Sequence, residues 1–364
     1  MLRRDEQNAT GIEKTVLLLL AIALNVLELF VPRIPVFPWL KPGIANCVTI
    51  VWIVRYGAVD AVLFSLVRVW IAGFYSGFSF LTLALALSGG IASTFVMGIV
   101  WYLFGRRGWL GAIGLGIIGA MAHNMGQLAM VYLLLAHAVQ LWYQMPLMIA
   151  ASLVFGGLTG AIAPVIHTWR PAGAAFAAAL PTSTPARAAW RPALLTLAFS
   201  IILVFVTAPI ALGACALAAT IAAQIAARWS WRTLVYPVRR FWLLFVCIGL
   251  LYAFFSYGKR IEGLPGVTYE GLHDLGIQWL RLWSWLQLTV VFERAGFHTL
   301  ILGLLRHAFP MHGQTLQAGV AALSMFPRIF EVTKGLRKGG IFAAIRHPRT
   351  FVMEAMRAIE KTIE

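Results

Sequence analysis

Carboxylates are almost absent from the middle of this sequence. All thirteen Asp and Glu residues lie in 5–60 or 262–364, and none occurs from Ala61 to Ile261. No two aspartates are adjacent, which excludes the aspartate-rich motifs that hold diphosphates through magnesium in prenyl-elongating enzymes, because that hard cation prefers carboxylate oxygens. There is also no GxxxxGK[ST] loop, so any ATP hydrolysis would require a separate subunit. We therefore expect no catalytic residues, no metal site and no cofactor.

Cysteine is rare as well. Cys47, Cys215 and Cys247 lie far apart within apolar stretches, and no CxxC spacing exists. This pattern indicates neither a zinc site nor a redox pair. We expect the three thiols to be packing residues.

Charge of either sign is scarce, at 12% of the chain, whereas a soluble domain carries about twice that fraction. Hydrophobic residues make up 60%, in repeated runs of roughly 18 or more, each long enough to cross a bilayer as a helix. The sequence therefore predicts an all-α polytopic membrane protein. The net charge of +16 comes from Arg and Lys in short connections between these runs, with no basic stripe, so we expect no nucleic-acid partner.

The hydropathy pattern predicts a six-helix membrane domain over 15–168, after a polar segment 1–14. Its candidate spans are 15–31, 44–56, 58–74, 80–104, 110–137 and 146–168. Basic residues precede the first span and occupy every second connection, with Arg33 and Lys41 in the first outer loop as the exception, so the positive-inside rule places both termini in the cytoplasm. We expect the membrane to be the bacterial inner membrane.

The second half predicts a further membrane region. An Ala- and Pro-rich cytoplasmic linker, 169–192, is followed by about four spans over 193–292, which makes about ten in the chain. Residues 293–364 are basic and amphipathic, with too many charges to cross, so we expect helices that lie at the cytoplasmic membrane interface or bind a partner. Anchoring to lipid alone is the alternative.

Three polar side chains interrupt the fifth predicted span. His123 and Gln127 are four residues apart on one helix face, and Asn124 is adjacent. They predict either a substrate site that faces the interior of the bundle or a set of interhelical hydrogen bonds. Three such groups within six residues are more than interhelical bonding requires, which favours the substrate site.

Further polar residues are candidates for the same site. Asn46 ends the KPGIAN stretch at the start of the second span, and Ser88 belongs to an LSGG interruption of the fourth. Arg68 lies deep in the third span, where a cation needs a partner. Apart from Asp60 at the start of the third span, spans three to six carry no carboxylate, so an anionic substrate group is one such partner; snorkelling to the interface and contacts to backbone carbonyls are the alternatives.

The stretches KPGIANCVTI, SLVRVWIAGFYSG, LALSGGIAS and GAMAHNMGQLAMVYLL resemble the Gx transporter family, also known as heptaprenyl diphosphate synthase component I. The resemblance covers nearly all of 12–168. It implies a six-helix bundle similar to the S component, the substrate-binding subunit of energy-coupling-factor (ECF) vitamin transporters, with its pocket toward the outside.

The second half is similar to the T component of these transporters (CbiQ/EcfT type), through GVTYEGLHDLGIQWLRLW and MFPRIFEVTKGLRKGG. By this resemblance Pro327 and Glu331 stand at family positions of a coupling helix. Arg337 and Lys338 stand nearest to the Ala-Arg-Gly motif that inserts into ATPase subunits.

The resemblance implies a fused S–T subunit of an ECF-like transporter. Its partners would be ATPase subunits, membrane lipid and a small-molecule substrate, for which anionic, prenyl, quinone and flavin-related compounds are candidates. The alternative is a non-transporting membrane component of quinone or prenyl-lipid metabolism, or of flavin-based electron transfer, that scaffolds partner proteins.

Overall fold

The computed structural model describes residues 2–28, 43–75, 80–134, 142, 144–169, 190–254, 257–264, 266–294, 301, 304–305, 307–337 and 348–363. Within these ranges the chain is helical, and the pairing of extended backbone is limited to one isolated bridge between Arg260 and Thr268. The predicted all-α membrane fold is confirmed. Most of the predicted linker 169–192 and of the segment 293–309 lies outside the described residues.

Twelve α-helices are described, in the order α1 Leu2–Glu28, α2 Asn46–Tyr56, α3 Ala58–Tyr75, α4 Phe80–Leu103, α5 Ala112–Leu134, α6 Met145–Thr168, α7 Trp190–Phe205, α8 Pro209–Ala226, α9 Trp231–Phe254, α10 Tyr269–Arg294, α11 Gly313–Arg337 and α12 Pro348–Ile363. The first six coincide with the predicted spans to within a few residues, except that α1 extends through the polar N-terminal segment.

Local chemistry sets several of the helix ends. Gly57 separates α2 from α3 with a φ of 89°, a left-handed conformation that glycine adopts without steric cost. Pro209 occupies the first turn of α8, where its missing N–H has no intrahelical acceptor to lose. Pro327 lies inside α11, and the helix continues through it to Arg337.

Within the described part of the chain, five helical segments are long and apolar enough to cross a membrane: Thr10–Glu28, Phe80–Arg107, Ala112–Leu134, Met145–Thr168 and Pro209–Ala226. α2 is shorter, with eleven residues. α8 is typical of the lipid-facing helices, because large apolar side chains such as Ile210, which is 90% exposed, point away from the protein. Hydrocarbon would cover such surfaces.

Two hydrophobic cores organise the helices. In the first, α1 is enclosed by α2 and α3 on one side and by α11 and α12 on another, so that Leu17 to Leu20 are completely buried. The second core joins one end of α4, α5 and α6 to α7–α10. The C-terminal helices thus return to the N-terminal bundle, with Leu316 and Ala322 of α11 in its core.

Candidate functional site

The LSGG and AHNMGQ stretches lie against each other, on α4 and α5. A Cβ atom at Gly89 would lie 2.8 Å from Cε1 of His123 and 2.9 Å from Cγ of Gln127. In the other direction, a Cβ atom at Gly126 would lie 2.7 Å from the carbonyl oxygen of Ser88. Glycine at these positions therefore lets two helix backbones approach and leaves the His123 and Gln127 side chains pressed against the backbone of α4.

Of the polar side chains where α4 meets α5, Gln127 is the least exposed to solvent. Its side chain is 1% exposed, and its Oε1 has no hydrogen-bond partner among the described residues. A buried acceptor without a donor costs about 1–3 kcal/mol. Such a group in the middle of a membrane helix is a place where a donor from a bound molecule would stabilise the protein.

Asn124 faces a different helix. Its Nδ2 donates to the carbonyl oxygen of Met148 at 3.2 Å and to Oγ of Ser152 at 2.8 Å, both on α6. Ser152 in turn donates to Met148 O at 2.7 Å. Asn124 therefore forms the interhelical hydrogen bonds that the sequence left open as an alternative, while His123 and Gln127 face α4.

Arg68 and Asn46 form a second polar group, between α3 and α2. Arg68 is 3% exposed and donates from Nη2 to Oδ1 of Asn46 at 3.3 Å, while its Nε has no partner among the described residues. Glu28, at the end of α1, interacts electrostatically with Arg68 and accepts the Ala45 N–H at 2.9 Å. A carboxylate of the chain thus balances part of the charge for which an anionic substrate was expected.

Ser65 and Gly90 connect these two groups. Ser65 lies on α3 one turn before Arg68, and a Cβ atom at Gly90 would lie 3.0 Å from its Oγ. Gly89 and Gly90 therefore present the backbone of α4 to α5 and α3 respectively. Ser88 donates to Leu85 O of its own helix at 3.0 Å, so its hydroxyl is already used. The substrate-binding role of Ser88, as of the other five residues, stays a prediction.

The predicted coupling residues fall on or beside α11. Pro327 and Glu331 are exposed on this helix. The side chain of Arg337 and the whole of Lys338 lie outside the described residues. Their role in binding a partner stays a prediction.

Sequence reasoning missed a polar cluster around Asp60, at the start of α3. Its Oδ2 accepts from Nζ of Lys14 at 2.7 Å and from Nε1 of Trp52 at 3.0 Å, and its Oδ1 accepts from Oγ1 of Thr315 at 2.8 Å. Nδ1 of His312 lies 2.7 Å from the same Oδ1. Asp60 is 3% exposed, so its carboxylate is buried where α1, α2, α3 and α11 meet, while the His312 side chain is 28% exposed.

A second connection lies nearby, at the end of α6. Arg55 bonds to Glu13 and to the carbonyl oxygens of His167 and Trp169. Nε1 of Trp169 donates to Oε1 of Glu360 on α12 at 2.9 Å. The sequence did show that the carboxylates are confined to the two ends of the chain. It did not show that these two ends contact each other in the fold.

Comparison with known proteins gives a family-model match over part of the chain. Residues 17–166 match the family model described as heptaprenyl diphosphate synthase component I. No curated protein and no solved structure matches the chain. The resemblance of the first half to this family is thereby supported, and the proposed T-component likeness of 193–340 has no support from these comparisons.

Proposed function

We propose that this chain is a membrane subunit of a transporter of the ECF type, in which α1–α6 hold a small molecule. The observation that carries the proposal is the Gln127 amide, buried against the backbone of Gly89 with an unsatisfied Oε1. The match of 17–166 to a family with S-component character supports it. In this proposal the chain catalyses no reaction, and separate subunits hydrolyse ATP.

The polar groups describe the substrate that this site would accept. Gln127 Oε1 needs a hydrogen-bond donor, so the molecule must carry an N–H or O–H group where it meets α4 and α5. Arg68 already interacts with Asn46 and Glu28. An anionic group on the substrate would therefore add to an existing interaction without being required for the burial of Arg68.

Coupling to ATPase subunits would use α11 and α12. Because α11 shares the first core and bonds to Asp60 through Thr315, a tilt of α1–α6 in the membrane would carry both C-terminal helices with it. Pro327 and Glu331 are exposed on α11. We propose that this helix transmits ATPase movement directly to the substrate-binding bundle.

A second candidate function follows from the family description. The words "component I" imply a partner component in a complex, and the described enzyme makes a prenyl diphosphate. A non-transporting subunit that binds a prenyl lipid between α4 and α5 and recruits a soluble partner through α11 would fit the same contacts. Such a subunit would retain a lipid and need no ATPase.

Mass spectrometry of the molecules that co-purify with the protein tests the proposal. We expect wild-type protein to retain a polar small molecule and Gln127→Leu to retain at least about tenfold less. In the variant the donor of the bound molecule would be buried without an acceptor, which costs free energy of binding. Gln224→Leu is the matched control, because Gln224 is a buried amide of α8 that bonds to Thr233 at 2.6 Å. Equal retention by Gln127→Leu and wild type would contradict the site, and a retained prenyl lipid would favour the second candidate.

A further inference from the structure

Arg281 is a buried cation in the second membrane region. It lies at the middle of α10, and its side chain is 1% exposed. Its Nη2 donates to the carbonyl oxygen of Val206 at 2.6 Å. Nε and Nη1 are buried as well, and they have no hydrogen-bond partner among the described residues. A charge in such a position is costly unless an opposite charge or further acceptors compensate it.

The described carboxylates do not supply that compensation. Among the described residues no salt bridge involves Arg281, and Asp274, two turns away on α10, lies beside His273 at 3.3 Å. Polar neighbours on the same helix are amides: Gln278 is also 1% exposed, and its Oε1 has no partner within the described part of the chain. The site therefore has an excess of positive charge.

The backbone around Val206 contributes charge of both signs: Val206 follows the C-terminal end of α7, whose dipole places partial negative charge beside the Arg281 guanidinium, and the next helix, α8, begins three residues later. Residues 206–208 are not helical, and α8 begins at Pro209. The first N–H groups of a helix have no intrahelical acceptor, and the helix dipole places partial positive charge at this end. Since Arg281 is anchored on Val206, its guanidinium lies at the interruption between α7 and α8, where interrupted membrane helices commonly hold charged ligands.

We propose that Arg281 and the first turn of α8 bind an oxyanion, a phosphate or carboxylate group. Nη1 would donate a charge-assisted hydrogen bond to it, while Nε–H points to the opposite edge of the planar guanidinium. Both a lipid headgroup and a free anion carry this chemistry. The site is separate from the contact between α4 and α5, and it would stand if the Gln127→Leu experiment failed.

Two probes distinguish the sources of the anion in purified, delipidated full-length protein. Phosphatidylglycerol in detergent micelles tests a lipid headgroup, and inorganic phosphate, compared with chloride at matched ionic strength, tests a free anion. We expect one of the two to bind and to raise the melting temperature of the wild-type protein, because a ligand of the native state stabilises it by mass action.

Variants then assign the effect to Arg281. Arg281→Gln should weaken binding of the active probe by about tenfold or more, and Arg281→Lys, which keeps the charge but loses the planar donors, by less. Arg232→Gln, a change at an exposed arginine of α9, should bind as wild type does. If Arg281→Gln is too unstable to purify, binding of the active probe is compared between the wild-type and Arg281→Lys proteins. Failure of both probes to bind wild type, or equal binding by Arg281→Gln, would overturn the proposal.

Discussion

At the scale of the residue, Asp60 shows how one carboxylate can hold distant parts of a membrane protein together. Its two oxygens accept from Lys14, Trp52 and Thr315, and the Lys14 ammonium also lies 4.7 Å from the centre of the Tyr56 ring. Lys14 and Asp60 are 8% and 3% exposed, so neither charge is well solvated. Each depends on the other for its compensation.

Asp60→Asn should therefore loosen α11 from the N-terminal bundle. The substitution leaves the Lys14 ammonium buried without its counter-charge, which costs about 3–5 kcal/mol. We expect faster hydrogen–deuterium exchange in 313–337 and a lower melting temperature. Glu354→Gln, at an exposed position of α12, is the control and should change neither. Wild-type exchange rates in Asp60→Asn would show that apolar packing alone holds α11.

The burial of polar side chains could be predicted from the sequence, but the residues that they contact could not. The positions of His123, Asn124 and Gln127 within an apolar run indicated buried polar contacts. The run did not say that Asn124 turns to Ser152 on α6 while Gln127 turns to Gly89 on α4, because the sequence does not say which helix lies against which side of α5. That division became visible only with the arrangement of the three helices.

At the scale of the element, glycine sets the distance between α5 and α6. A Cβ atom at Gly116 would lie 2.3 Å from Gly156 O, and one at Gly156 would lie 2.6 Å from Cα of Ile117. Both contacts are with backbone, which cannot rotate away. The Asn124 bond to Ser152 lies on the same pair of helices, so the close approach and the hydrogen bonds support each other.

Two neighbouring glycines of α6 allow a matched test of this packing. Gly156→Ala should force α5 and α6 apart and lower stability by about 1–3 kcal/mol, as overpacking does. Gly157→Ala should be neutral or slightly stabilising, because nothing lies within 4 Å of a Cβ atom there and alanine favours the helix. Resistance to thermal unfolding in detergent is the measurement. Equal effects of the two substitutions would contradict the close contact of α5 with α6.

The helices were predictable because a bilayer fixes their length, so α4 and α6 begin and end within a residue or two of the expected spans. The placement of α11 against the N-terminal bundle was not predictable. Its amphipathic pattern indicates that one face is buried, but several surfaces of a membrane protein would satisfy that pattern. The core contacts of Leu316 and Ala322 with α1 and the bond from Thr315 to Asp60 select one.

At the scale of the whole molecule, helices from both halves of the chain pack in the same hydrophobic cores. The C-terminal helices α11 and α12 share a core with α1–α6, and α7–α10 share another with α4–α6. A movement of the N-terminal bundle would therefore involve both halves of the chain. The proposed fusion of substrate binding and coupling requires such a connection, and separate, loosely linked domains would not provide it.

The most direct test of the substrate site is an experimental structure of the full chain purified with the molecule it retains. Our account predicts that this molecule lies beside the contact between α4 and α5, with a donor at hydrogen-bonding distance from Oε1 of Gln127. A molecule bound elsewhere, with Gln127 hydrogen-bonded to another side chain of the protein, would contradict the account.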